Sequence, residues 1–265
     1  MIKLGVNSVL FKTVSFSDAC RYIKRAGYDG VEICAIEGMN PHLDLNNWKE
    51  QVQYIKDCVK RNELEILSSE VASRDINRIV KACQAANEIG IPILNIGPGG
   101  VMNDEQSVLE SIEVTAALAQ KAKEYGVTLC CKAHVNSAIY NTPTTLRMME
   151  GISCDAFGVD MDPSHIHRAG ENPAEALPKV ISRVKHVHIR DCVGDGPSPG
   201  EPMNQACGRG DIDLYVYFKA MVDVNYDGPV CLEVIGPDQD PVNAMAIAAE
   251  SYGYMNALLK SLGAR

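Results

Sequence analysis

Four short segments of this chain concentrate side chains that move protons or hold cations. CCKAHVN (130–136) offers Lys132 and His134, and VDMDPSHIH (159–167) offers Asp160, Asp162, His165 and His167. VKHVHIRD (184–191) offers His186, His188, Arg190 and Asp191, and CLEV (231–234) sets Glu233 among apolar neighbours. Five of the chain's six histidines fall in these segments, a concentration that a purely structural role does not require. Singly, each residue has an ordinary explanation: a histidine is commonly a satisfied polar group, and Asp162 before Pro-Ser-His suits a helix cap. Jointly, Asp162, His188 and Glu233 make an O, N, O set suited to a divalent ion. A carboxylate beside an electrophile is also what removal of a proton next to a carbonyl needs, with Glu233 as base or proton carrier.

Such groups act together only if the fold brings the four segments to one place. Short apolar runs recur at 3–7, 30–34, 64–67, 92–96, 127–131, 157–161, 184–189 and 230–234, which predicts eight strands. Longer-period segments between them, such as 15–27, 46–61, 74–89 and 105–126, predict helices, and Gly27, Gly90 and Gly126 stand where helix-ending glycines belong. Eight βα units in 265 residues are what a single (β/α)8 TIM barrel over 1–265 requires, and no G-x-G-x-x-G follows the first strand to suggest a doubly wound sheet. Barrel chemistry sits at the C-terminal ends of strands. The four segments lie at the ends of strands five to eight, and Glu32 lies near the C-terminal end of strand two.

Composition narrows the functions. Twenty-five basic against 34 acidic residues give −9, a field that repels phosphate backbones and anionic lipid, so neither nucleic acid nor membrane is an expected partner. No apolar run approaches a membrane span, and the first residues do not read as a signal peptide; a cytoplasmic location is the expectation. Ten cysteines without a C-x-x-C pair read as reduced thiols, several inside apolar runs.

The wording VDMDPSH (159–165), HVHIRD (186–191), GRGDIDLYVYFKAM (208–221) and YDGPVCLEV (226–234) resembles the xylose isomerase-like superfamily of TIM barrels, which includes sugar phosphate isomerases and epimerases, ketose 3-epimerases and inosose dehydratase. The resemblance implies a metal-assisted isomerase or epimerase that shifts a proton next to a carbonyl of a small keto sugar or polyol, with a lyase or dehydratase as the alternative. It implies one divalent metal, manganese before magnesium, cobalt or zinc, on Asp162, His188 and Glu233. His165, His134, Arg190 and Glu32 match family residues around the substrate; apart from the resemblance, Phe11, Trp48, Glu70 and Asn95, read as loop residues, and the stretch GDGPSPGEPMNQACGRGD (194–211) are expected to help select it. Pairing into a homo-oligomer is a further expectation.

The chain departs from the family at strand five, reading LCCKAH (129–134) where members read L-x-x-E-x-H, so Lys132 stands in place of the first metal-binding glutamate. Three carboxylates with a dication sum to −1, and two carboxylates with one ammonium also sum to −1. Lys132 therefore either replaces the charge of the metal, or acts as a neutral proton carrier beside a metal on the other three, or is an engineered or degenerate lesion that leaves a catalytically impaired sugar-binding or partner subunit, or lies just outside the ligands and reaches to solvent.

Overall fold

A computed structural model describes all 265 residues. Its eight strands are β1 (Lys3–Asn7), β2 (Gly30–Cys34), β3 (Glu65–Glu70), β4 (Ile93–Ile96), β5 (Thr128–Lys132), β6 (Phe157–Met161), β7 (Val184–Ile189) and β8 (Pro229–Leu232). Each pairs in parallel with the next and β8 pairs with β1, closing the barrel that the repeat predicts. The apolar runs locate β1, β2, β6 and β7 to the residue. The reading of strand three ended at Leu67, whereas β3 continues through Ser68 and Ser69 to Glu70. Ser68 and Glu70 are polar because they belong to the interior network described below, and Ser69 donates its hydroxyl to the Ile33 carbonyl of β2 at 2.7 Å, so a search for apolar runs stops here.

Nine helices pack around the barrel: α1 (Phe16–Ala26), α2 (Trp48–Arg61), α3 (Ile76–Ile89), α4 (Glu105–Glu124), α5 (Thr142–Gly151), α6 (Pro163–Arg168), α7 (Pro173–Val180), α8 (Leu214–Asp223) and α9 (Pro241–Ser261). Their apolar faces and the outward faces of the strands form one core of 72 buried residues. Local chemistry sets the helix ends: Ser15, Asp75 and Asp104 cap α1, α3 and α4 through their side chains, and Gly27 and Gly90 end α1 and α3 at φ of 110° and 93°. All ten cysteines are free and buried. No helix is long and apolar enough to cross a membrane.

The barrel interior is apolar and tight at one end. A Cβ added to Gly30 would lie 2.6 Å from the carbonyl oxygen of Glu65 and 2.6 Å from Leu67 Cγ, and one added to Gly5 would lie 2.6 Å from Leu67 Cδ1. The Leu67 side chain thus fills the space that two glycines leave. Gly30→Ala is expected to destabilise the protein by about 1–3 kcal/mol, because its clash is with backbone that cannot rotate away. A melting temperature equal to that of the wild type would show that β2 and β3 separate at no cost.

Candidate active site

Above that plug the interior becomes polar, and strand alternation arranges it in layers. In the lower layer, His186 Nδ1 donates to Asp160 Oδ1 at 2.9 Å while its Nε2 meets Ser68 Oγ at 2.9 Å. Asn95 Nδ2 donates to Glu32 Oε1 at 2.6 Å. Neither Glu32 nor Asn95 lines the cavity at the mouth; both lie beneath it, fully or nearly fully buried.

His188 joins this layer to the next. Its Nε2 lies 2.5 Å from Glu32 Oε2, and its Nδ1 lies 2.6 Å from Asp160 Oδ2 and 3.1 Å from Lys132 Nζ. A carboxylate oxygen that close to each ring nitrogen requires a proton on each, so we read His188 as an imidazolium, even though the N–H direction toward Asp160 Oδ2 is poor. Burial pushes its pKa down, but Asp160 and Glu32 outweigh burial and hold it well above the ordinary histidine range. The Lys132 contact is then a close approach of two cations that the surrounding acids compensate.

The upper layer is built on Lys132, whose side chain is only 6% exposed. Its ammonium lies 3.0 Å from each oxygen of Glu233 and 3.4 Å from Glu70 Oε1. Burial would lower its pKa, yet Glu233 and Glu70 raise it well above the ordinary value, so it is a fixed cation. Glu233, opposed by burial but held by Lys132 and Arg190, sits well below the usual carboxylate range. Glu70 goes the other way: burial first and the Glu233 charge second push it up to about 8, while its Oε2 accepts from Asn7 Nδ2 at 2.7 Å. Two carboxyl groups on one ammonium are therefore driven apart, one kept ionised and one kept protonated.

Arg190 closes the layer. Its Nη2 donates to Asp162 Oδ2 at 2.9 Å and its Nε to Ser164 Oγ at 2.8 Å. Its Nη1 lies 2.9 Å from Glu233 Oε2, but the N–H is not aimed at that oxygen, so this is a charge contact that leaves a buried donor without an acceptor. Asp162 is the α6 cap, its Oδ1 accepting from Ser164 N at 2.8 Å. His165 faces donors on three sides, Arg190 Nη2, Arg168 Nη2 and Val135 N, and burial followed by the Arg190 charge holds its pKa well below the ordinary range. His134, its pKa lowered chiefly by burial, donates from Nδ1 to the Val135 carbonyl at 2.8 Å and stacks on His165 with ring centres 4.0 Å apart. His134 Nε2 is thereby an acceptor.

These groups surround a cavity of about 250 Å³ that Glu70, Lys132, His134, His165, Arg190 and Glu233 line together with Gly97–Gly99, Ser137 and four apolar side chains. That is below the ~300–1,000 Å³ of drug-sized sites, so its occupant is small. The structure thus gathers Lys132, His134, His165, Arg190 and Glu233 of the sequence-derived set at one mouth. His167 lies outside, on the flank of the barrel, and Trp48 at the start of α2 does not reach the cavity. Glu70 is the central residue that sequence reading left among the loops. The available signal was a glutamate closing a strand, as Glu32 and Glu233 do.

The expected ligand set does not assemble. At the mouth the donor atoms that come within 4.8 Å of one another are those of Glu70, His188 and Glu233, and two further sets, Glu32/His186/Cys231 and Asp160/His186/His188, lie in the layer beneath, while Asp162 is turned toward Arg190 and Ser164. All three of the gathered groups lie against the Lys132 ammonium, and an imidazolium has no lone pair to offer. Glu70, His188 and Glu233 are thus a candidate ligand cluster in which the Lys132 ammonium stands where an ion would have to sit.

A closed parallel barrel with acids, imidazoles and cations at the C-terminal ends of its strands is the architecture of a (β/α)8 enzyme. The chain belongs to the xylose isomerase-like TIM barrel family, whose model matches residues 20–258, a family of sugar-modifying enzymes. It is 23% identical over 302 residues to an inosose dehydratase of Clostridium perfringens, covering 95% of this chain and 96% of that protein. Among solved structures, it is similar to the IOLI protein with a bound zinc atom (TM-score 0.81, 17% identity, 98% of this chain and 99% of that one). It is also similar to D-psicose 3-epimerase of Clostridium cellulolyticum with D-tagatose (TM-score 0.79, 15% identity, 97% and 99%).

Lys132→Glu should turn the mouth into a metal site, since it removes the ammonium and adds a carboxylate beside Glu70, His188 and Glu233. Excess manganese or zinc is expected to raise the melting temperature of the variant, by about 2.7 kcal/mol of stabilisation at 100 times the Kd, and to leave the wild type unmoved. A wild-type melting point that climbs with metal and falls with chelator would show that a divalent ion displaces the ammonium. Glu70 gives a pH signature. The folded state keeps its proton up to about pH 8, whereas the unfolded chain releases it near the ordinary value of 4.5. Its contribution is thus whole below 4.5 and is lost as pH rises through 8. Glu70→Gln, which imitates the protonated form, should gain on the wild type in thermal stability between pH 5 and 8, and an unchanging difference would place the Glu70 pKa elsewhere.

Proposed function

We propose that this protein is a metal-independent enzyme that removes the proton next to a carbonyl of a small polyol or keto sugar. The observation that carries the reading is a buried donor without an acceptor, Arg190 Nη1, set beside Lys132 Nζ and the ionised Glu233 in one small cavity. Glu233 takes the carbon-bound proton. The N–H groups of Lys132 and Arg190 then hold the enediolate oxygen, a service worth about 10²–10³ in rate per donor in comparable sites. His134 Nε2 accepts a hydroxyl, and His165, neutral between two guanidinium groups, holds His134 and Arg190 in place.

Loss of water from a cyclic keto polyol is the outcome that similarity to inosose dehydratase favours, because the relation spans nearly both chains. Similarity to ketose 3-epimerases supports isomerisation or epimerisation as the second reading. Both begin with the same proton. A zinc-bound neighbour supports metal chemistry elsewhere in the family; here the ammonium of Lys132 stands against the groups that would hold the ion. Chelator-treated protein incubated in deuterated water with inosose, D-tagatose and D-allulose is expected to exchange the hydrogen next to the carbonyl, followed by NMR. Lys132→Gln should slow that exchange by 10²-fold or more. Exchange that disappears with chelator and returns with manganese would overturn the metal-independent reading.

A further inference from the structure

Glu70 has no counterpart among the groups that the sequence resemblance implies, yet it shares the Lys132 ammonium with Glu233 and lines the same cavity. Its far oxygen is anchored by Asn7 Nδ2, so its near oxygen faces the mouth in a set orientation. Donor atoms of the two glutamates lie within 4.8 Å of one another. We propose that Glu70 and Glu233 form a proton-transfer pair acting on neighbouring atoms on a single face of the substrate, Glu233 as base and Glu70 as acid. This rests on the reading of Glu233 as the base.

The distance decides the geometry. A reacting group approaches to about 3–3.5 Å, so two bases on opposite faces of one carbon must stand roughly 6–7 Å apart. A pair within 4.8 Å cannot straddle a carbon. It can serve two adjacent atoms, which is what elimination of water on one face, or transfer of a proton between neighbouring carbons, requires; it does not place a base on each face of one carbon.

For water loss, Glu233 removes the proton next to the carbonyl, and the C–H electron pair forms the double bond of the enediolate. The carbonyl then re-forms, that double bond shifts toward the next carbon, and the C–O bond there breaks. The departing hydroxide takes the proton of Glu70 and leaves as water. Glu233 ends protonated and Glu70 ionised, and the proton returns from one to the other across the short gap, directly or through water. No oxidant, reductant or further reactant is consumed.

The test compares wild type, Glu70→Gln and Glu70→Asp in deuterated water, with melting temperatures to establish folding. With inosose, Glu70→Gln is expected to keep exchanging the hydrogen next to the carbonyl while water loss falls by ~10²–10⁴, and Glu70→Asp should recover part of it. A merely structural role would lower exchange and water loss together. With D-tagatose and D-allulose, the wild type should exchange without inverting the carbon. Wild-type rates of water loss in Glu70→Gln, a parallel fall of both steps, or epimerisation of either ketose by the wild type would each overturn the paired role. A wild type that exchanges hydrogen on none of the three probes would instead retire the role of Glu233 as base, and the pair with it.

Discussion

The interaction on which this barrel mouth depends is the contact of one buried ammonium with the two oxygens of Glu233. Five carboxyl groups converge inside the barrel, those of Glu32, Glu70, Asp160, Asp162 and Glu233, all of them buried. Against them stand Lys132, His188, Arg190 and Arg168, so four cations face five acids. The count closes to neutrality when one acid holds a proton, and Glu70 is the acid whose pKa is raised. Removing one member of a buried pair typically costs about 3–5 kcal/mol, because the partner is left as an uncompensated charge. Lys132 is thus a structural counter-ion, and in the proposed reaction the same ammonium is the electrophile.

The lower network gives this arrangement its stiffness. Asp160 spans β6 and β7 by accepting from both His186 Nδ1 and the backbone N–H of His188. Glu32 reaches across from β2 to His188 and Asn95. His188 cannot rotate without breaking the charge-assisted bond from Nε2 to Glu32, and its Nδ1 stands between Asp160 Oδ2 and Lys132 Nζ, so the position next to Lys132 is set from below. In a metal enzyme a histidine at this place would offer a lone pair upward. Here that upward position faces the ammonium of Lys132.

Much of this was legible in the sequence, and the rest was hidden for identifiable reasons. The strands β6 and β7 were found to the residue because their outward faces keep a regular apolar pattern even where Asp160, His186 and His188 point inward. Lys132 was conspicuous because it broke a strand-end motif. Glu70 was not, since Ser68, Ser69 and Glu70 look like the start of a loop until barrel closure supplies their partners from β1, β2, β5 and β7. Asp162 was read as a ligand and as a cap, and which oxygen faces which partner depends on the rotamer of Arg190, a contact 28 residues away in the chain. Periodicity reports which face a residue takes, while charge pairing among residues on the same face is decided only when eight strands close.

Exchanging a dication for an ammonium changes what the rest of the mouth must do. A divalent ion polarises an oxygen from any direction and can hold two substrate oxygens at once; an ammonium offers three directed N–H bonds, most of them already given to Glu233 and Glu70. Orientation of the substrate then falls to groups that still have a free bonding position: the Nη1 donor of Arg190 and the Nε2 acceptor of His134. Both line the cavity beside Lys132, and His134 is held against His165, which Arg190 also holds. The donor and the acceptor are therefore braced through one imidazole, so a substrate oxygen placed by one fixes the approach of the hydroxyl received by the other. A small rigid polyol, with a carbonyl and a neighbouring hydroxyl at fixed separation, is the kind of molecule such a braced pair can position without a metal.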